Sequence, residues 1–311
     1  MVGVAQLVEP RVVISAVVGS SPIVHPIFRL SRVLALFAGI VLAGTAVAAD
    51  APQLFVAGDS TAAFYKPNPK NQQGWGAVLQ PLFDASKLRV VDVARGGRSS
   101  RTFITEGHWD RMLAEVRAGD FVIIQFGHND SGALNQEPPG STKPLRARGT
   151  IPGIGDESEE IDNVITGKHE TVHTFGWYLR KMIADTRAKG ATPILLTLTK
   201  TNSWKEGRIP CDAEAYRLWT WQTATSGKVA FVDLTRIIAD RFQREGPDAV
   251  TAQFIDDTVH TNIAGAEANA RDAVAGLRAI KSLSLRAALS EHGRAVPADG
   301  GAPKNSVCAA F

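Results

Sequence analysis

The sequence predicts an α/β fold, a three-layer doubly wound sheet of about five parallel strands with helices on both faces. Short, continuous apolar runs are typical of parallel strands covered on both faces, and they occur at residues 53–57, 88–93, 121–126, 192–198 and 229–234. Amphipathic stretches of helical periodicity lie between and after these runs, at residues 109–117, 174–189 and 263–282. This alternation of strands and helices predicts a mainly parallel sheet.

The first 49 residues are predicted to be a leader rather than part of the fold. Arg29 and Arg32 precede a short apolar run at residues 33–44, and small residues follow up to Ala49. This is the pattern of a secretory signal peptide, and an apolar run of about a dozen residues is shorter than the ~20 residues of a transmembrane helix. We therefore expect a secreted or periplasmic protein. Residues 1–27 fit poorly before such a signal, and we hypothesise that they precede the true start.

Residues 50–285 are predicted to form one domain, and residues 286–311, which are rich in Gly, Pro and Ala, a flexible tail. Within the domain, residues 138–163 form a long segment without clear periodicity, which predicts a functional loop over the site. The two cysteines, Cys211 and Cys308, are too few for a disulfide framework. Whether they pair is left open, because a sequence does not establish the geometry of a disulfide.

The charge of the chain gives no indication of a polyanionic partner. The full sequence has 34 basic and 31 acidic residues, and without the three arginines and one glutamate of the leader the balance is 31 to 30. No basic patch with interleaved aromatic residues is present. We expect no nucleic-acid partner, no membrane association after cleavage of the leader, and a monomer.

Polar turns directly follow three of the predicted strands, and they are Gly58-Asp59-Ser60, Arg95-Gly96-Gly97 and Gly127-His128-Asn129-Asp130. The carboxyl ends of parallel strands meet at one edge of a sheet, where ligands bind, so these turns are predicted to converge. Near the other end of the chain, Asp257 and His260 lie three residues apart. Acyl transfer requires a serine, a base and an orienting carboxylate. Ser60, His260 and Asp257 are therefore the candidate catalytic residues.

Each of these residues also has an ordinary structural interpretation. Ser60 is a suitable N-cap for a following helix, Asp and His are common loop residues, and Asp256 is a rival to Asp257. Asp59 is predicted to hydrogen-bond its own turn, and His128 to have a structural or substrate-contacting role. The histidines and carboxylates show no zinc spacing, and no phosphate-binding loop is present. We therefore expect no metal and no cofactor.

The four blocks that contain Ser60, Gly97, Asn129 and His260 resemble, in this order, those of the SGNH (GDSL) hydrolases. Within that superfamily the chain most resembles rhamnogalacturonan acetylesterases, which act in pectin breakdown, because of Gly97-Arg98-Ser99-Ser100-Arg101, Arg148-Gly149-Thr150-Ile151-Pro152-Gly153 and Val172-His173-Thr174-Phe175-Gly176-Trp177. The resemblance covers residues 53–277. It implies the flavodoxin-like form of the doubly wound fold and a serine esterase that removes acetyl groups from a polysaccharide or oligosaccharide.

The resemblance also implies an oxyanion hole formed by the backbone N–H of Ser60, the backbone N–H of Gly97 and the side-chain amide of Asn129. The preference for Gly97 over Gly96, and for Asp257 over Asp256, depends on it. Alternatives remain within and outside the enzymes. They are an acetylesterase for another polysaccharide such as xylan, a general GDSL lipase or esterase, and a catalytically dead sugar-binding protein.

Residues that contact the substrate are harder to predict. Aromatic faces that suit a sugar ring, or that simply pack in the core, belong to Tyr65, Trp75, Tyr178, Trp204, Trp219 and Trp221. Cations that suit the uronic carboxylates of pectin, or that are simply solvated, are Arg98, Lys168 and Lys200. Val259 and residues 197–202 depart from the pattern of the resembling family, and the second departure concerns sugar specificity.

Overall fold

The computed structural model describes residues 51–211 and 215–311, so the predicted leader lies outside the described residues. The strands are β1 (Gln53–Gly58), β2 (Arg89–Asp92), β3 (Phe121–Gln125), β4 (Ser158–Asp162), β5 (His169–His173), β6 (Thr192–Leu196) and β7 (Ala230–Val232). The main sheet has five strands in the order β2-β1-β3-β6-β7. Every neighbouring pair in it is parallel. The predicted doubly wound sheet is confirmed.

The helices are α1 (Ser100–Thr105), α2 (His108–Glu115), α3 (Phe175–Ala188), α4 (Ala215–Gly227), α5 (Leu234–Glu245), α6 (Pro247–Thr251), α7 (Ile263–Ala279) and α8 (Glu291–Ala295). Short 3-10 helices cover Gly76–Val78, Gln80–Leu82 and Ser284–Ala288. The three amphipathic stretches of the sequence correspond to α2, α3 and α7. No helix in the described ranges has the length and apolarity needed to cross a bilayer.

Strand β1 shows why the strands read as continuous apolar runs. Leu54 and Val56 belong to one buried cluster, and Phe55 and Ala57 belong to another. Successive strand side chains point to opposite faces of a sheet, so both faces of β1 are covered. Helices α5 and α7 supply apolar side chains to the first cluster, and α1, α2 and α3 supply them to the second. The sheet is therefore the middle of three layers.

Strands β4 and β5 form a separate antiparallel pair, which corrects the prediction for the end of segment 138–163. That segment was expected to be irregular, yet its last residues form β4. Each strand of the pair buries one apolar side chain, Ile161 in β4 and Val172 in β5. One apolar residue per strand is too weak an alternation to predict a hairpin from the sequence.

The prediction of a flexible tail at residues 286–311 is wrong, because this segment packs on the domain. Leu289 and Val296 are buried, and α8 forms within it. Cys308 is joined to Cys211 by a disulfide, with a Cα–Cα distance of 4.9 Å and a sequence separation of 97. Asp299 forms an ion pair with Arg236 on α5 at 2.5 Å. This polar segment lacks a continuous apolar pattern, and a few widely spaced contacts hold it on the domain.

Candidate active site

Ser60 lies in a tight turn at the carboxyl end of β1 and is 8% exposed. The Asp59 side chain accepts hydrogen bonds from the backbone N–H of Thr61 at 2.9 Å and from its hydroxyl at 2.8 Å. The Asp59 carbonyl accepts from the N–H groups of Ala62 and Ala63. Asp59 thus stabilises the turn, as predicted. Ser60 is not the N-cap of a regular helix, since no helix begins there.

His260 lies beside Ser60, although 200 residues separate them in sequence. The His260 Nε2 atom is 2.9 Å from Ser60 Oγ, and His260 Nδ1 is 2.6 Å from Asp257 Oδ2. An ionised carboxylate only accepts hydrogen bonds, so Nδ1 carries the proton and Nε2 faces the serine as an acceptor. The carboxylate contact is made by Asp257 and not by its rival Asp256.

Backbone groups hold Asp257 in position. Its Oδ1 atom accepts from the N–H of Val259 at 2.8 Å and from the N–H of His260 at 2.7 Å. Partial burial opposes ionisation of Asp257, but the hydrogen bond from the His260 ring and those from the two N–H groups outweigh it. The pKa of Asp257 therefore lies below its ordinary value. The carboxylate of Asp257 is therefore ionised when it accepts the hydrogen bond from His260 Nδ1.

The segment that carries His260 is anchored beside the serine turn by its neighbours. The Thr261 carbonyl accepts from the N–H of Gln73 at 2.8 Å, and the Thr261 hydroxyl donates to the Gln73 carbonyl at 2.8 Å. Tyr65 connects the same region to the nucleophile, since its hydroxyl donates to the Ser60 carbonyl at 3.2 Å. Burial raises the pKa of Tyr65 to about 12, so this donor keeps its proton.

Gly97 and Asn129 line the same cavity, of about 670 Å³, as Ser60 and His260. Gly97 has a φ of 77°, a left-handed conformation that favours glycine. Its carbonyl accepts from Arg148 Nη1 at 3.0 Å. The Asn129 amide donates to the Arg98 carbonyl at 2.9 Å, and an amide has a second N–H donor beyond this bond. The three predicted turns therefore meet at one edge of the sheet.

A buried carboxyl group, Asp130, lies behind the Asn129 turn and fixes the start of α1. Its Oδ1 atom accepts from the N–H of Ser100 at 3.0 Å and from the Ser100 hydroxyl at 2.5 Å. Burial outweighs these bonds and raises the pKa of Asp130 to about 7. Asp130 is thus partly protonated near neutral pH.

Some of the other predicted site residues line the cavity, and the rest lie in the core or elsewhere on the domain. His128, Tyr65 and Arg98 line the cavity, and His128 Nε2 is 3.0 Å from the Thr199 hydroxyl. The remaining aromatic candidates do not line it, and Trp75 is fully buried, with its indole N–H donating to Gln125 at 3.1 Å. Lys200 is buried, and Lys168 is exposed and does not line the cavity.

Sequence reasoning missed two arginines of the cavity wall, Arg146 and Arg148. Arg148 lies within one of the segments that resemble the family, and Arg146 lies outside them. The available signal was their alternation, Leu-Arg-Ala-Arg-Gly, in a segment expected to cover the site. Among the residues that the structure describes, no group of three His, Cys, Asp or Glu side chains is arranged to hold a metal ion.

The model of the GDSL-like lipase/acylhydrolase family matches residues 56–268, which contain Ser60, Gly97, Asn129, Asp257 and His260. The chain belongs to this family. It is a carboxylic ester hydrolase, and the region matched runs from the first strand of the sheet into α7. The family name refers to the segment around the serine, which here reads Gly58-Asp59-Ser60-Thr61.

Curated relatives of this hydrolase include two with related names. A rhamnogalacturonan acetylesterase of Emericella nidulans is 31% identical over 215 residues, which cover 69% of this chain and 80% of that protein. A "probable rhamnogalacturonan acetylesterase" of Bacillus subtilis, YesY, is 29% identical over 233 residues, which cover 73% of this chain and 93% of that protein.

A solved structure with the same fold is that of YxiM from Bacillus subtilis. It superposes with a TM-score of 0.58 at 27% identity, over 75% of this chain and 58% of that one. YxiM is described as an uncharacterized esterase. The chain thus spans a little over half of the YxiM chain.

Proposed function

We propose that this hydrolase is an exported serine esterase that removes O-acetyl groups from pectic rhamnogalacturonan. The observation that carries the proposal is the contact chain from Ser60 Oγ through His260 to Asp257, at 2.9 Å and 2.6 Å. These are the distances that nucleophile, base and orienting carboxylate need in acyl transfer. The two relatives named rhamnogalacturonan acetylesterase support the choice of substrate.

In the proposed mechanism, Ser60 Oγ attacks the acetyl carbonyl carbon while His260 Nε2 takes the hydroxyl proton. The carbonyl oxygen becomes an oxyanion that accepts hydrogen bonds from the N–H of Ser60, the N–H of Gly97 and the amide of Asn129. Collapse of this intermediate breaks the bond to the sugar oxygen, which receives the proton from His260. An acetyl group remains on Ser60.

Water completes the cycle at the same site. His260 removes a proton from water as its oxygen attacks the acetyl-serine carbonyl, and the second tetrahedral intermediate uses the same oxyanion donors. Its collapse returns the proton to Ser60 Oγ and releases acetate. Asp257 accepts the Nδ1–H bond throughout and stabilises the imidazolium that each half-reaction forms. No metal or cofactor takes part in these steps.

Two features support export to a secreted or periplasmic location. One is the signal-like leader of the sequence, at residues 1–49. The other is the disulfide between Cys211 and Cys308, because disulfides form and persist in oxidising compartments. Fractionation of cells that express the full chain tests this part, and a precursor that stays in the cytoplasm at full length contradicts it.

Hydrolysis of p-nitrophenyl acetate by the leaderless protein and by Ser60→Ala tests the catalytic assignment. The expected loss is at least about 10³-fold in kcat, because the remaining hydrogen-bond donors alone give little acyl transfer. Thr61→Ser is a matched control in the same turn that keeps the hydroxyl bonded to Asp59. Equal activity of wild type and Ser60→Ala excludes the mechanism.

Acetate release from acetylated rhamnogalacturonan and from acetylated xylan tests the substrate. We expect a clear preference for rhamnogalacturonan. A preference for xylan leaves the acetylesterase mechanism in place and excludes the pectic substrate. A general lipase is distinguished by p-nitrophenyl esters of increasing acyl length, on which an acetylesterase loses activity beyond the acetyl group.

A further inference from the structure

Two arginine side chains, Arg146 and Arg148, lie on the cavity wall that faces the candidate oxyanion hole. A Cβ atom built on Gly97 would lie 3.6 Å from Arg148 Nη1 and 3.8 Å from Arg146 Nη1. Both guanidinium groups therefore border the Gly97 turn. They come from segment 138–163 and not from the main sheet.

The charge of these two groups is not cancelled by a direct partner. Within residues 51–211 and 215–311, no carboxylate forms a salt bridge with either arginine. Arg98, on the same wall, differs because Glu106 Oε2 lies 2.8 Å from its Nε. Burial and then the neighbouring charge of Arg146 lower the pKa of Arg148, while more distant carboxylates act in the opposite direction. Two like charges held together favour an anionic ligand between or beside them.

A second cavity adjoins the catalytic cavity at these arginines. Arg146, Arg148 and His128 line both the catalytic cavity and a neighbouring cavity of about 830 Å³. Lys143 adds a further cation to the second cavity, whose acidic lining residues are Glu137 and Glu159. A polymer that places one sugar at Ser60 can therefore contact the arginines, which border both cavities.

The substrate of the proposed function has carboxylates at regular intervals, since every second residue of its backbone is a uronic acid. A guanidinium offers planar, paired N–H donors that match a carboxylate, and it is always charged. The two arginines thus combine the right chemistry for a carboxylate with a place on the wall of the cavity that contains Ser60.

We propose that Arg146 and Arg148 form a carboxylate subsite, which binds a uronate carboxylate of the substrate beside the reacting ester. The inference rests on the proposed function, and it replaces Arg98, Lys168 and Lys200 as the cations that recognise pectin. Arg146 is the better probe, because Arg148 also supports the Gly97 carbonyl at 3.0 Å.

The test measures competitive inhibition of p-nitrophenyl acetate hydrolysis by unacetylated rhamnogalacturonan oligosaccharides. Each enzyme is compared on the acid form and on the same oligosaccharides after reduction of their carboxyl groups to alcohols. For the wild type we expect inhibition by the acid form to be about tenfold tighter, and to weaken with salt as ion pairs do. In Arg146→Gln the ratio of the two inhibition constants, for the reduced form over the acid form, falls toward one. Arg146→Lys restores part of this ratio, and Arg148→Gln reduces it as well.

Arg89→Gln is the matched control, because Arg89 is exposed at the start of β2, at the opposite edge of the sheet. It removes the same charge and is expected to keep the wild-type ratio. The proposed subsite is excluded if this ratio is equal in wild type and Arg146→Gln. It is also excluded if the acid and reduced forms inhibit the wild type equally well. Failure of the catalytic proposal is seen separately, as undiminished p-nitrophenyl acetate hydrolysis by Ser60→Ala.

Discussion

Asp257 orients the His260 ring through the hydrogen bond that it accepts from Nδ1, and replacing Asp257 with asparagine reverses the direction of that bond. The asparagine amide donates to Nδ1 and so moves the imidazole proton to Nε2, where it can no longer accept from Ser60. We expect Asp257→Asn to lower kcat for p-nitrophenyl acetate by about 10³–10⁴-fold. Asp256→Asn, which changes the neighbouring carboxylate, is expected to keep wild-type kcat. Similar losses in both variants contradict the assignment.

Asp130 makes the folded protein sensitive to pH. Its pKa is about 7 when folded, above the ordinary value of a carboxyl group, which the unfolded chain has. Between about pH 4 and pH 7 the folded state therefore holds a proton that the unfolded state has released, and the free energy of unfolding falls as pH rises. Asp130→Asn removes this contribution, on the order of 2–4 kcal/mol across that window.

Urea unfolding at pH 5 and pH 8 measures the effect of Asp130. The wild type is expected to lose more stability between the two pH values than Asp130→Asn does. Asp110→Asn, at an exposed position on α2, is expected to show the wild-type difference. The assignment of Asp130 is wrong if Asp110→Asn and Asp130→Asn behave alike.

Gly97, in the turn after β2, is predicted to need its left-handed backbone conformation for catalysis. Alanine at Gly97 must adopt a φ of 77°, which costs about 1–2 kcal/mol for a residue with a Cβ, or rotate the N–H away from the oxyanion. We expect Gly97→Ala to lower kcat by about 10²-fold, the usual effect of losing one oxyanion donor. Gly119→Ala is the control, since Gly119 has a φ of 91° and open space around it. It should lose stability and keep kcat.

The elements that sequence reasoning predicted are those with strong periodicity. Strands β1, β3 and β6 each bury an apolar run, helices α2, α3 and α7 each bury an apolar face, and burial is what shapes a sequence pattern. The edge strands β2 and β7 are only partly buried, but the runs 88–93 and 229–234 that predicted them are mostly apolar. Hairpin β4–β5 was not predicted from the sequence, because it buries only Ile161 and Val172. Helix α1 is six residues long and is positioned by the Ser99 capping box and Asp130, which are polar contacts that leave no periodic signal.

The candidate site shows the same division. Ser60, Gly97, Asn129, Asp257 and His260 follow strands or share a short turn, so their positions could be argued from the chain, and the structure brings them together. Arg146 and Arg148 reach the cavity from a segment without periodicity. Their approach to Gly97 depends on the path of that segment over the sheet edge, which only the folded structure reveals.

At the scale of the whole molecule, the disulfide fastens the C-terminal segment to the domain. Cys211 and Cys308 are 97 residues apart, and closing a loop of that size stabilises a fold by about 2–5 kcal/mol, chiefly by restricting the unfolded chain. We expect the double variant Cys211→Ala/Cys308→Ala to unfold at a lower urea concentration, with kcat kept at 25 °C because neither cysteine lines the cavity. A reductant should lower the midpoint of the wild type and leave that of the variant unchanged.

The separation of 200 residues between Ser60 and His260 has a consequence for the life of the protein. A nascent chain on the ribosome holds the alcohol long before the imidazole has been synthesised, so it cannot cleave esters while it is being made. In refolding, turnover returns only once Thr261 has docked on Gln73 and has brought the imidazole to the serine.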